Sequence, residues 1–162
     1  MWAQAYGYKR WADERTVAAV RQIDTAEHPE AVGFARQQLN HMVIVEELFR
    51  SRLLNEKPPH DTTNTDAIPE LESLSHRLAR SNEWYASYIE RPSADTSERI
   101  VFVFADGQRG AMSAEEMLFH VLNHGTYHRG NIARALDLAG VPHPVDGYAH
   151  HIHTLEPERR AT

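Results

Sequence analysis

The sequence predicts an all-α protein, a four-helix bundle with a short β-hairpin between helices three and four. Four long segments repeat apolar residues at the three- and four-residue spacing of an amphipathic helix. A short run of β-branched and aromatic residues lies between the third and fourth segments, and the turn-forming pair Asp106-Gly107 follows it at once. Helices that each carry one apolar face bury those faces by packing together, as in a bundle.

The composition excludes several classes of function. The chain has 162 residues, of which 41% are hydrophobic and 25% charged, and its formal net charge is −6. It contains no cysteine, which excludes disulfides, thiolate metal sites and a cysteine nucleophile. There is no long basic block, so nothing favours tight binding to nucleic acid. No apolar run approaches the ~20 residues of a membrane-spanning helix, and the first residues do not resemble a signal peptide, so we expect a cytoplasmic protein.

The first predicted helix covers residues 2–23, where apolar residues recur on one face. Its opposite face is expected to be polar and contains Arg10, Asp13, Glu14 and Arg15. Pro29 suits the first turn of a helix, and the second helix is predicted over residues 30–54.

A histidine lies on the apolar face of the second helix. Phe34, Val45 and Leu48 form that face, and His41 stands four residues before Val45 and seven before Leu48. A buried imidazole without a partner is costly, so His41 needs either a hydrogen bond or a metal ion.

The segment Asn55–Pro69 is polar and rich in proline and threonine, so it either covers one end of the bundle or is mobile. The third helix is predicted over residues 70–90 and is expected to stop at Arg91-Pro92, because the residue before a proline avoids helical geometry. The hairpin comes next.

The hairpin is predicted to pair Arg99–Ala105 with Gln108–Met112 across the Asp106-Gly107 turn. The alternative is an extended segment without a partner strand. The fourth helix then begins, with Ser113 as its N-cap.

Strong terminal signals delimit the fourth helix. Ser113 and Glu116 form the pattern of a capping box, and Gly140 followed by Pro142 predicts the end. Gly125 and Gly130 lie inside this helix, where each costs ~1 kcal/mol relative to alanine. They indicate close approach of another backbone or room around a site.

The C-terminal histidines are assigned to a flexible segment. His150, His151 and His153 fit no ordered helix face, so we expect a solvated histidine-rich tail. The bundle is accordingly assigned to residues 1–150, and residues 151–162 to a polar tail.

The fourth helix carries the most informative pattern, with His120, His124 and His128 four residues apart. Side chains at this spacing share a helix face, so His124 and His128 can bind one ion. Together with His41 they provide three neutral nitrogen ligands and leave coordination positions for water or substrate, as in catalytic sites. Zinc suits three histidines best, and nickel or iron also bind imidazole.

Several stretches of the chain resemble the DinB-like superfamily, of the DinB/YfiT type, a group of metal-dependent four-helix-bundle proteins named after a DNA-damage-inducible gene. These stretches are Tyr8–Arg15, Gln38–His41 with Glu46–Leu48, Asn123–Ile132 and Pro144–Asp146. The chain has Lys9 where that family usually has asparagine, and Asn131 where glutamine is more usual. The resemblance implies the metal triad His41, His124 and His128, and also a homodimer.

The resemblance also implies a reaction. Characterised relatives include transferases that use bacillithiol, mycothiol or glutathione, and a mycothiol-dependent isomerase. In such enzymes the metal binds the thiol sulfur and lowers its pKa, and the thiolate attacks an electrophile. Since the sulfur arrives with the substrate, a chain without cysteine is compatible with this activity.

Two other interpretations stay open at this stage. One is metal-dependent hydrolysis, with water activated at the ion and His120 or Glu46 as the general base. The other is a stress-response metal-binding protein without catalysis, for which the net charge of −6 argues against direct DNA binding. His120 can contact substrate near the ion or be a hydrogen-bonded core residue.

Overall fold

A computed structural model describes residues 1–91 and 98–160. The elements, in chain order, are α1 Trp2–Val20, α2 Pro29–Leu53, α3 Leu71–Ile89, β1 Arg99–Val103, β2 Arg109–Ser113, α4 Ala114–Leu138, α5 Tyr148–Leu155 and a 3-10 turn Pro157–Arg160. Among these residues, no helix combines the length and hydropathy that crossing a membrane requires. The predicted helix stop at Pro92 lies outside the described part of the chain.

The predicted bundle and hairpin are present. The antiparallel strands pair Arg99 with Ser113 and Val103 with Arg109. The capping box at the start of α4 is formed, with the Ser113 backbone N–H donating to Glu116 Oε2 at 2.7 Å and the Glu116 N–H donating to Ser113 Oγ at 3.2 Å. Gly140 follows α4 with φ of +68°, a conformation that glycine adopts readily.

A fifth helix corrects the prediction of a flexible histidine-rich tail. His150, His151 and His153 all lie on α5, and only 6% of the His151 surface is exposed. The His151 ring packs 5.1 Å from the Trp11 ring and 5.9 Å from the Tyr8 ring. The tail prediction is therefore wrong for this segment, because aromatic residues of α1 give it a surface on which to fold.

The core consists of two apolar clusters. Each of the four long helices contributes to both. The first cluster contains Val17, Val20, Ala35, Leu39, Met42, Val43, Leu74, Leu78, Ile132 and Leu136 among others. The second contains Tyr6, Val45, Phe49, Tyr85, Met117, Leu118 and Val121. Phe34, predicted to face the core, is instead 41% exposed.

The order of the clusters along each helix gives the topology. Helices α1 and α4 run from the second cluster to the first, whereas α2 and α3 run from the first to the second. Helix α2 packs against α3 and α4, and α1 packs against the same two helices. Because α2 and α3 are parallel, the chain between them must return along the length of the bundle.

This return explains the long segment before α3. His60 contacts Glu47 at 2.5 Å, the Thr63 carbonyl accepts from His41, and the carbonyls of Ile68 and Pro69 accept from Arg36. The residues contacted on α2 run backwards as the segment advances. The segment therefore lies along α2 and does not simply cover one end of the bundle.

A buried polar layer separates the two apolar clusters. Its side chains are Lys9, Asp13, Glu46, Ser81, Asn82 and Arg129, and all are less than a tenth exposed. The prediction that Asp13 lies on a polar outer face is wrong, because it points to the bundle centre. Such charges are stable in a core only when they are paired.

Lys9 is at the centre of this polar layer. Its Nζ donates to Asp13 Oδ2 and Asn82 Oδ1, each at 2.8 Å, and also lies 2.8 Å from Glu46 Oε1. Lys9 and Glu46 form an ion pair, but the angles of this contact are not those of a hydrogen bond. Burial acts to lower the pKa of Lys9, but Asp13 and Glu46 outweigh burial and hold that pKa above its usual value.

Arg129 fixes the rotation of α4. Its Nη1 donates to Asp13 Oδ1 at 2.9 Å, and its Nε donates to Asp146 Oδ2 at 2.7 Å. Asp146 lies in the segment before α5 and also accepts a hydrogen bond from Tyr8. One guanidinium thus ties α4 to α1 and to the C-terminal segment, and Arg129 is adjacent to His128 in the sequence.

The two glycines inside α4 differ in their surroundings. A Cβ added at Gly125 would lie 3.0 Å from Arg129 Nη1, whereas nothing lies within 4 Å of a Cβ at Gly130. The predicted close approach of another backbone is therefore found at neither glycine, and side chains take up the space beside Gly125. Nothing in the structure explains a glycine at position 130.

We expect Gly130→Ala to raise the free energy of unfolding by about 1 kcal/mol, because alanine favours the helix and meets no neighbour. Gly125→Ala should bring no such gain, since its methyl group displaces the guanidinium that binds Asp13. Urea unfolding of both variants tests this pair, and an equal gain at the two positions would contradict the packing around Gly125.

We also expect Arg129→Met to lower the free energy of unfolding by about 3 kcal/mol, because it leaves buried Asp13 with one charged partner fewer. Arg134→Met, on an exposed position of the same helix, is the matched control and should change stability by less than about 0.5 kcal/mol. Similar losses in the two variants would show that the Arg129 ion pairs do not hold α4.

Candidate metal centre

Three histidines predicted from the sequence meet between α2 and α4. His41 Nε2 lies 3.0 Å from His124 Nε2, and His128 Nε2 lies 3.1 Å from the same atom. In the described residues, these three form the group of side chains able to hold a metal ion, with all ligand atoms within 4.8 Å of one another. All three residues are partly exposed.

The outer nitrogens of two rings are already bound. His41 Nδ1 lies 2.9 Å from the Thr63 carbonyl oxygen, and His128 Nδ1 lies 2.6 Å from Gln38 Oε1. Both partners only accept hydrogen bonds, so each Nδ1 carries the ring proton. In neutral rings, Nε2 of His41 and of His128 therefore presents a lone pair.

These lone pairs explain why the donor set fits a cation. His124 Nε2 can contribute at most one proton, so it cannot form a full hydrogen bond to both neighbouring nitrogens at once. A divalent cation accepts all three lone pairs, and three neutral imidazoles are an established ligand set for zinc. The residues present therefore fit a metal ion, and its identity is left open by the ligands alone.

Electrostatics favours the neutral form that metal ligands need. Burial lowers the pKa of His124 to about 3, with further lowering by the imidazoles of His128 and His41. Burial and His41 lower the pKa of His128 to about 4. Both rings are therefore neutral at pH 7 and do not have to lose a proton to bind an ion.

His120 lies beside the triad but is not part of it. Its ring stacks on the His124 ring, with centroids 5.3 Å apart and an interplanar angle of 24°, and packs 4.8 Å from the Phe49 ring. Burial, and then the charge of Arg52, lower its pKa. Its half-buried position is compatible with contact to a substrate at the triad.

Glu46, the other residue considered as a base, belongs to the polar layer. Its carboxylate contacts Lys9 and accepts a hydrogen bond from Ser81, and only 1% of its surface is exposed. Burial raises its pKa, and Lys9 offsets this only in part. The structure does not bring Glu46 into the group that could hold the ion.

Sequence reasoning missed the groups that hold the ligands. Gln38 and Thr63 contact the outer nitrogens of His128 and His41, but neither stands at a spacing that singles it out. Gln38 belongs to the stretch Gln38–His41 that resembles the DinB-like superfamily, which was the one available signal. The Thr63 contact is made by a backbone carbonyl, which no residue type identifies.

Comparison with known proteins agrees with this architecture. The family model described as DinB family matches residues 1–160. This chain belongs to the DinB family. A similar curated protein, Protein DinB of Bacillus subtilis (strain 168), is 22% identical over an alignment of 169 positions that covers 95% of each chain. No solved structure matches this DinB-family protein.

We expect this DinB-family protein, purified without a histidine tag, to hold about one divalent ion per chain. His41→Ala and His124→Ala should each lose most of it, because two remaining imidazoles coordinate an ion poorly. His76→Ala, which removes a side chain that is 76% exposed, is the matched control. Elemental analysis measures the content, and wild-type content in both triad variants would rule out this ligand set.

Proposed function

We propose that this protein is a metal-dependent enzyme that transfers a low-molecular-weight thiol to electrophilic substrates. The observation that supports the proposal best is the convergence of three imidazole lone pairs at a partly exposed point of the bundle. When bound there, a divalent ion supplies Lewis acidity, which lowers the pKa of a thiol. Since the chain has no cysteine, the reacting sulfur is that of the substrate.

In this proposal the histidines have two different roles. His41, His124 and His128 hold the ion, and the neighbouring His120 takes the proton of the incoming thiol. His120 suits this role better than Glu46, because its ring stacks directly on His124, whereas the Glu46 carboxylate is bound to Lys9. The position of a base relative to the proton it accepts is the first requirement for general base catalysis.

A cleft whose lining begins one helical turn from His128, and includes none of the three histidines, offers space for the organic part of a substrate. It has a volume of about 660 Å³ and lies between the beginning of α2 and the end of α4, where Phe34, Asn131 and Leu138 line it. Asn131 is three residues from His128, one helical turn away. The volume is in the range of small-molecule sites, and the mixed apolar and polar lining suits an electrophile with an apolar body.

The proposed reaction is balanced with a halonitrobenzene as the electrophile. A carbon–sulfur bond forms between the thiol and the aromatic ring, and the carbon–halogen bond breaks. The halide leaves with the bonding electron pair, and the thiol proton passes to His120 and then to solvent. No oxidant or reductant is needed.

We expect the zinc-, nickel- or iron-loaded protein to conjugate bacillithiol, mycothiol or glutathione to 1-chloro-2,4-dinitrobenzene, and the metal-free protein to be inactive. His120→Phe keeps a ring on His124 but removes the base, so it should lower kcat by about 10²-fold without changing the metal content. His76→Phe, at an exposed position, is the control. Absorbance of the product measures the rate.

Two outcomes would contradict the proposal. If the metal-loaded protein hydrolyses an activated ester and conjugates none of the three thiols, it is a hydrolase. If it binds its ion stoichiometrically and turns over neither kind of substrate with any of the three metals, it is a metal-binding protein without this catalysis. A full rate in His120→Phe would overturn only the role of that residue.

A further inference from the structure

Gln38 makes two polar contacts that the proposed reaction does not use. It lies on α2, one turn before His41, and its Oε1 is 2.6 Å from His128 Nδ1 on α4. The same oxygen accepts a hydrogen bond from Asn131 Nδ2 at 3.3 Å. Gln38 and Asn131 are both partly buried, so water competes only weakly for these contacts.

The second contact matches the orientation in which the Gln38 amide presents its oxygen to His128. Asn131 Nδ2 donates to Gln38 Oε1, so one amide oxygen faces both Asn131 and His128. With the amide oriented in this way, His128 Nδ1 has to carry a proton. If the amide were reversed, its NH₂ group would donate to Nδ1, and the proton of His128 would move to Nε2.

The tautomer of His128 matters because only an unprotonated nitrogen binds a metal ion. A proton on Nε2 would point towards His124 Nε2, which lies 3.1 Å away, and would occupy the position of the ion. The choice of tautomer is usually set by the hydrogen bond of the other ring nitrogen. For His41 that partner is a backbone carbonyl, whereas for His128 it is a side chain that a substitution can remove.

We infer that Gln38, held by Asn131, is a positioning residue that keeps the proton of His128 on Nδ1 and so directs the Nε2 lone pair into the triad. The inference rests on the metal centre of the proposed function. It concerns residues of α2 and α4 that do not touch the ion themselves. Its consequences are visible in the metal-free protein as well as in metal affinity.

The first experiment measures zinc affinity by competition with a chelator in the wild type and three variants. Gln38→Met removes the acceptor at similar size and should weaken binding by about 10-fold or more. Gln38→Glu keeps an acceptor at the same position and should bind at least as tightly as the wild type. Gln37→Met changes the exposed neighbouring residue and should have no effect.

The second experiment needs no metal, and its first measurement uses the wild type alone. Nitrogen-15 NMR of the histidine rings in the metal-free wild type at neutral pH should show His128 with its proton on Nδ1 alone. In Gln38→Met, the tautomer protonated at Nε2 should appear, while in Gln38→Glu it should not. A structural role in packing alone would not change this signal.

The outcomes separate this inference from the metal centre itself. Wild-type protein that binds no zinc overturns the metal centre. Zinc binding that is equal in the wild type and Gln38→Met overturns the role of Gln38 and leaves the triad intact. A wild-type His128 protonated at Nε2 in the metal-free protein also overturns that role.

Discussion

The buried polar layer is the constraint on which the rest of this bundle depends. Lys9 has two carboxylates as partners, and Arg129 reaches Asp13 from α4, so all these charges are satisfied only in one register of the helices. A helix that rotated or slipped by one turn would leave a charge unpaired in the core, at a cost of several kcal/mol. The main effect of the layer is therefore to select one arrangement of the helices, more than to add to the free energy of unfolding. Neighbouring residues on a helix point about 100° apart, so fixing Arg129 towards α1 also turns His128 towards α2.

This constraint explains how three imidazoles can face one another in a folded protein without an opposite charge among them. Their rings are held by the backbone register and by partners on their outer nitrogens, and burial keeps His124 and His128 neutral. The cost of placing lone pairs close together is offset when a cation binds. Any ion that binds the folded state more tightly than the unfolded chain also stabilises the fold. The helix packing therefore holds the ligands in place, and a bound ion in turn stabilises that packing.

The sequence predicted those features that depend on local spacing. Helical periodicity gave the four long helices, and the four-residue step gave the pair of ligands on α4. The polar layer could not be predicted, because Lys9 and Asp13 look like surface residues until the partners from three other helices are known. Helix α5 was missed because its apolar residues Tyr148, Ile152 and Leu155, although at helical spacing, cover only about two turns, and His151 is buried only through aromatic residues of α1. The expected homodimer stays a prediction.

The central claim is that imidazoles from α2 and α4 share one cation. X-ray absorption at the metal edge, on zinc-loaded protein without a histidine tag, tests it most directly, because multiple scattering from imidazole rings counts the histidine ligands. The account predicts three imidazoles with zinc–nitrogen distances of about 2.0 Å, and two around the fraction of zinc that His41→Ala retains. One imidazole or none in the wild type, or an unchanged count in His41→Ala, would contradict it.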